Sequence, residues 1–403
     1  MIFTKEKQQI WGIYWMHSIQ SFASSMVSIF IPIYFLNLSY SVPQVIKFYI
    51  VHYLLLLAFA FITIYVVRLI GLQQTILARA PFKLIYYILL VLLPIYNFPI
   101  YIIAFFSGLE AAMYWIPLHI IFSRYSNKNE MGEATGKLFA LPKLFSIFSP
   151  LIGGFIAVTF GFSALLVTVF IFVLIAIIPL LLAFSNGDSF IFKDGKFIPK
   201  KFSSFVLSVY CNLVEALHAK STFKFEIKKG WRLFKDNKKY FLAEILDNIG
   251  EEVEAIIWPI FVFLTLENVA AVGIVGTLLN IGSFLFTLLV GRISDKISKK
   301  KLIKFGAILL TLTWLCRYYI NQEYLIYLIT IIAGFITVLF LVPFTSYGYA
   351  LPKRSEINEF FVFREIPVAI GRVVILIIAL LLIDNLSLVF PVAGLAYLYF
   401  LFF

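Results

Sequence analysis

"GRISDKISKKK", residues 291–301, places a glycine, an aspartate and five basic side chains between two apolar stretches, 270–290 and 302–320. Each stretch is about long enough for a helix to cross the hydrocarbon core of a bilayer, which takes roughly 20 residues. The segment therefore reads as a short basic turn between two membrane crossings. Outward from it, the chain yields about twelve such stretches. They lie near 10–36, 46–67, 84–97, 99–122, 134–159, 162–184, 241–264, 270–290, 302–320, 323–349, 358–383 and 385–403. The chain has 403 residues, 62% hydrophobic and 13% charged. A soluble domain of that length could not bury so much apolar surface, so the bilayer must act as solvent. An all-α integral membrane protein is expected, with no cleavable leader at "MIFTKEKQQIWGIYW" because the apolar stretch behind the lysines is too long.

The net charge of +12 is distributed by loop. Lys5 and Lys7, then Arg68, Arg79 and Lys83, then Arg124 and Lys128, the 185–240 segment, Arg292 to Lys304, and Lys353 with Arg354 fall in alternate loops. The intervening loops "PIYNFP", "TFGFS" and "TLENVAAV" carry no basic residue, and only Lys47 and Arg317 lie near that side. This bias places both termini in the cytoplasm of a multi-pass protein of the cytoplasmic membrane. It marks topology and contact with membrane lipids. No folded module with a nucleic-acid signature accompanies it, so nucleic acid is not an expected partner. Cys211 and Cys316 have no metal-ligand or disulfide spacing, and no metal or cofactor is expected.

A shift of 227 residues lays the first half of the chain on the second. "SIFIPIYFLNL" (28–38) falls on "AIIWPIFVFLT" (255–265), with Pro32 on Pro259, and "IYVVRLIGLQQ" (64–74) falls on "GRISDKISKKK". Pro117 with Pro343, and Glu133 with Glu359, correspond at a shift of 226. Two parallel repeats of six helices form a transporter architecture with a site near the midplane between the halves. The expected division is a six-helix bundle over 1–184, a cytoplasmic amphipathic linker over 185–240 and a second bundle over 241–403. In the linker, aromatics alternate with lysines, as suits surface helices on an anionic leaflet.

Gly291, Asp295, Lys296, Lys299, Lys300 and Lys301 resemble the loop signature of the major facilitator superfamily, G-x-x-x-D-[RK]-x-G-[RK]-x-[RK], at the place of its second copy, with Ser298 for the central glycine. In the first copy Ile64 stands for the glycine, Arg68 for the aspartate, and Gly71 survives. "SPLIGG" (149–154) is similar to the tail of an element carried by antiporters of that superfamily, though Phe145 and Ser149 miss its earlier glycines. The resemblance implies two pseudo-symmetric six-helix bundles, with helices 1, 4, 7 and 10 around a central cavity. It also implies a cytoplasmic gate in which Asp295 meets the start of helix 5. By symmetry Arg68 would lie at the start of helix 11, and an Arg68 pairing with Glu356 or Glu359 is expected.

Charge inside the spans carries the functional reading. In "EILDNIGEEVEAIIWPIF" (244–261), Asp247, Glu251 and Glu254 recur on one helical stripe, with Glu244 on the same side and Glu252 about 100° off it. A carboxylate near mid-depth costs roughly 2.5–3.5 kcal/mol even on the lenient insertion scale. It needs water, a cation or a proton. At a shift of 227 this stripe falls on the first span, whose own polar stripe carries His17, Ser21, Ser24, Ser25 and Ser28. His17, near the cytoplasmic end, reads as a solvated or capping residue. Glu110 and Tyr114 add polarity to the fourth span, and His119 falls on the opposite side from Glu110. Arg372 in the eleventh span and Lys143 in the fifth are the expected partners of the acids. The expected cavity residues are therefore Glu251, Glu254, Asp247, Glu110, Ser24, Tyr114 and Arg372, and the expected gate is Gly291, Asp295, Lys296, Lys299, Lys300, Arg68 and Glu359. Their sum is a monomeric secondary transporter of a small solute working by alternating access. It would be proton-coupled, with Glu251 as the favoured proton site, and would lean towards export of cationic or amphipathic compounds. The alternatives are a transport-inactive receptor or scaffold on the same fold and a membrane-embedded lipid-linked transferase. The transferase is disfavoured because the acids are deep and no nucleotide-cradling glycine loop exists.

Overall fold

The computed structural model describes residues 5–127, 130–184, 190–193, 196–199 and 225–403. Among the described residues the spans resolve into twelve membrane helices. α1 runs through Lys5–Val27, a 3-10 turn at Ser28–Phe30, and Ile31–Asn37. α2 is Val42–Ile70, α3 is Leu72–Ala78 followed by Ala80–Leu92, and α4 is Tyr101–Tyr125. α5 starts at Met131–Ser146 and continues into Ser149–Phe184, which turns back at Gly161 to become α6. α7 joins Lys238–Glu252, a π-helical turn at Val253–Ile257 and Trp258–Leu266. α8 is Val269–Lys296, α9 Lys299–Tyr318, α10 Glu323–Ala350 and α11 Ile357–Leu381; α12 is Ile383–Leu388, Val389–Tyr397 and Leu398–Phe402.

By length and apolarity alone eight helices qualify as crossings among the described residues, and one of these, Met131–Ala176, is the α5–α6 pair read through its turn. The helices that fall short are α7, α9 and α11, each interrupted by charge. The third span corrects the expected boundary. Arg79 and Lys83 lower the local hydropathy, so the apolar reading starts near 84, whereas the helix begins at Leu72 and carries both cations inward. Two glycines make the tight connections at φ values that side chains rarely adopt: Gly71 (φ 87°) between α2 and α3, and Gly161 (φ 84°) between α5 and α6. Elsewhere the helices start on ordinary signals. Ser41 and Gln44 form a capping box on α2, and Asn268 accepts the Ala270 N–H at the start of α8.

The first six and last six helices meet along two seams, α5 against α8 and α2 against α11. The α5–α8 seam is shut from end to end. At its basic end a Cβ on Gly291 would lie 3.0 Å from the Gly132 carbonyl oxygen and 3.1 Å from the Gly136 Cα. At the other end Gly154 and Gly273 face each other and Pro150 packs on Gly276. "SPLIGG" thus has a packing role at this crossing.

Of the linker, the described parts are a short antiparallel hairpin, β1 (Phe190–Lys193) with β2 (Lys196–Pro199), and one helix, Ile227–Asp236. The helix packs on α11, where Trp231 meets the Phe363 ring edge-on. Cys211 and Lys128 lie outside the described residues.

Candidate functional site

Between the two sets of helices lies a cavity of about 560 Å³. Ser25 and Ser28 of α1, Tyr53 of α2, Lys143 of α5, Asp247, Glu251, Glu252 and Glu254 of α7, Arg317 of α9, Arg372 of α11 and Tyr397 of α12 all line it. The π-turn of α7 decides which way the acids point. A turn of that kind takes an extra residue into the helix and shifts the phase of the earlier turns against the later ones. Asp247, Glu251 and Glu252 therefore belong to one phase, and Glu254, inside the turn, is aimed elsewhere.

Each acid meets a different environment. Glu251 accepts from Arg372 Nη2 at 3.3 Å, and its side chain is 37% exposed to the cavity. Glu252 accepts from the Tyr53 hydroxyl at 2.7 Å and lies 3.9 Å from Arg372 Nε, so it links α7 to α2 of the other half. Arg372 also donates to Asn248 Oδ1 at 3.0 Å and stands over the Tyr53 ring at 5.0 Å. Glu254 does not use Arg372 or Lys143. It pairs with Arg317, Nη1 to Oε2 at 2.5 Å and Nη2 to Oε1 at 3.2 Å. Arg317 is 0% exposed and lies between Trp258 and Trp314, at 4.1 and 4.5 Å from their rings. Glu244 is taken by Arg364 Nε at 2.7 Å and by the Tyr240 hydroxyl.

Asp247 differs from all of these. It lines the cavity, is 4% exposed, and makes no ion pair among the described residues. Its partner is the Tyr397 hydroxyl at 3.4 Å, a long contact. Lys143 is its counterpart in charge. It donates to Asn280 Oδ1 at 2.9 Å and forms no ion pair among the described residues.

Glu110, Tyr114 and Ser24 do not join this cavity, contrary to the sequence reading. They line a second pocket of about 100 Å³ between α1, α3 and α4. Glu110 there pairs with Arg79 at 3.1 Å and Lys83 at 2.7 Å, both brought in by the early start of α3. His17 is buried in the same place, hydrogen-bonded to Tyr114 at 2.6 Å, and is not a solvated end residue. His119 sits outside both pockets and bonds the Tyr349 hydroxyl of α10 at 2.6 Å.

At the basic end Asp295 accepts the Gly132 N–H at 2.8 Å and the Glu133 N–H at 2.7 Å, which puts a carboxylate on the N-terminal turn of α5. Gly291 makes this possible by letting α5 and α8 touch. Lys299 stands 3.9 Å from Asp295, Lys300 faces the Phe403 ring, and Lys296 is exposed. Asp295→Ala is expected to cost about 1–2 kcal/mol, as loss of a cap does. A thermal melt in detergent checks it, and an unchanged melt would mean that water replaces the carboxylate.

The symmetry-related pair of Arg68 with Glu356 or Glu359 is not formed. The linker intervenes: Arg68 Nη2 donates to the Phe225 carbonyl at 2.7 Å, while Glu359 accepts the Glu226 N–H at 3.3 Å and lies 3.5 Å from Lys229 Nζ. The length of chain entering the linker helix occupies the space that the pair would have closed.

No known family profile matches the sequence, and no curated protein matches it. Among solved structures, the human organic anion transporter MFSD10 (TETRAN) superposes with a TM-score of 0.67 at 11% identity, covering 98% of this chain and 99% of its own. The fold is that of the major facilitator superfamily. The superposition runs through both the first six and the last six helices.

The residues that sequence reasoning passes over are Arg317, Arg79, Lys83, Tyr53 and Tyr397. The cations read as loop residues because each sits at an end of an apolar run. Their one visible signal is sequence position: Arg317 follows "WLC" within the ninth stretch, and Lys83 adjoins the start of the third.

Proposed function

We propose that the protein is a monomeric, proton-coupled secondary transporter that moves a small organic solute across the cytoplasmic membrane by alternating access of its two six-helix halves, with both termini cytoplasmic. One observation carries the coupling. Asp247 is a deep carboxylate with no ion pair among the described residues, Arg364 acting on it only from beyond ion-pair distance, whereas the other acids of the cavity face Arg317, Arg372 or both Arg372 and Tyr53. A deep carboxylate that no cation pairs with is the one free to load and release a proton as the cavity opens to either side. The charges of the cavity support the same reading. Four carboxylates face three cations, so a single proton makes the lining neutral.

The acids alone favour a cationic solute. Counting Arg317, Arg372 and Lys143 removes that preference. Lys143, the cation whose partner is an amide, favours a solute with an anionic group, and the organic anion transporter that shares the fold lends this further support. A scaffold without transport would have every deep acid matched by a cation, and Asp247 argues against it. The test is reconstitution in liposomes with a trapped pH indicator and a panel of organic acids, amines and zwitterions. Solute-dependent proton entry supports the proposal. A panel that drives neither proton flux nor solute counterflow sinks it.

A further inference from the structure

The second pocket has a charge imbalance that the transport reading does not use. It lies at mid-depth, with Glu110 near the middle of α4 and Lys83 well inside α3. Two cations, Arg79 and Lys83, surround one carboxylate among the described residues, and both are buried. A net positive charge at that depth is costly unless something answers it.

Each cation spends only part of its donor set on the described residues. Arg79 gives Nη1 to Glu110 and Nη2 to Gln20 Oε1 at 2.8 Å, and its guanidinium lies 3.9 Å above the Tyr114 ring. Lys83 gives one bond, to Glu110. Around the remaining space stand hydroxyls and an amide: Ser21, Ser24 and Gln20, with Gln20 Nε2 donating to Ser24 Oγ at 2.9 Å. The volume of about 100 Å³ is well below the roughly 300–1,000 Å³ of a pocket for a drug-sized ligand. That suits an ion of a few heavy atoms and excludes a drug-sized solute.

The geometry points to a binding site for a small monovalent anion, a halide or a short carboxylate, held by Arg79 and Lys83 inside the first six helices and separate from the solute cavity. The anion neutralises the α1–α3–α4 contact and stiffens that half.

The test uses the purified full-length protein in detergent, melted in sodium gluconate with stepwise replacement by sodium chloride, formate or acetate at constant sodium. Wild type is expected to gain roughly 5 °C at saturation with chloride, formate or both, with a saturable midpoint. Chloride alone identifies a halide site, and formate or acetate a carboxylate site. Lys83→Gln removes the excess charge and is expected to abolish the gain. Ala111→Leu fills the pocket without touching a charge and is expected to abolish it too, which keeps the proposal testable if Lys83→Gln fails to fold. Equal melting in gluconate and all small anions overturns the proposal. So does an anion response that survives either variant.

Discussion

Asp247→Asn is expected to cut proton-driven uptake by two orders of magnitude or more, roughly 2.8 kcal/mol at about 1.4 kcal/mol per decade, while leaving solute counterflow intact. Asparagine keeps the shape and hydrogen bonding of the protonated acid but cannot release a proton. The variant therefore behaves as the permanently loaded form and exchanges solute without net proton movement. The neighbouring Glu251 supplies the control. It is the more exposed acid and already has Arg372 at 3.3 Å, so Glu251→Gln removes one bond from an arginine that retains Asn248 and Glu252. It is expected to weaken uptake without uncoupling it. If Glu251→Gln uncouples and Asp247→Asn does not, the proton site is Glu251, and the lack of a cation beside Asp247 has no part in coupling.

Arg317→Leu is expected to be the most destabilising single change, by roughly 3 kcal/mol, because it removes a fully buried cation and leaves Glu254, partly buried at the cavity wall, without it. The loss has two parts, the orphaned carboxylate and the guanidinium packed between Trp258 and Trp314. The double variant Arg317→Leu with Glu254→Leu separates them. Removing both charges is expected to restore most of the stability, and the coupling is read from a double-mutant cycle in a detergent denaturation series. If the double variant is as unstable as the single one, the ion pair contributes little and the tryptophan sandwich holds the site.

The architecture is legible in the sequence because its signals are collective. Twelve apolar runs, alternate basic loops and a long internal repeat each draw on many residues, and no single misplacement disturbs them. The candidate site is less legible because it turns on individual charges. Hydropathy cannot distinguish a lysine in a loop from a lysine in a helix that faces a glutamate. Lys83 and Arg79 therefore read as outside, and Glu110 reads as a residue of the central cavity. Arg317 escapes for the same reason. The partner of Glu254 is missed for a further reason: a stripe of positions assumes one constant helical period, and α7 does not keep one.

The π-turn at Val253–Ile257 also explains a detail of the repeat. Beyond the turn, Pro32 matches Pro259 at a shift of 227. Before it, a shift of 226 sets Ser25 on Glu251, and both residues line the same cavity. In terms of a coding sequence, α7 carries one codon more than α1, and that codon sets the phase of the acids. Deleting the codon for Ala255 would leave every charged side chain in the chain, yet rotate the segment holding Asp247 and Glu251 by about 100° relative to Trp258 and Pro259. Such a protein is expected to reach the membrane, hold Arg317 poorly and carry no protons. One alanine, itself without chemistry, would then separate a working cavity from an inert one.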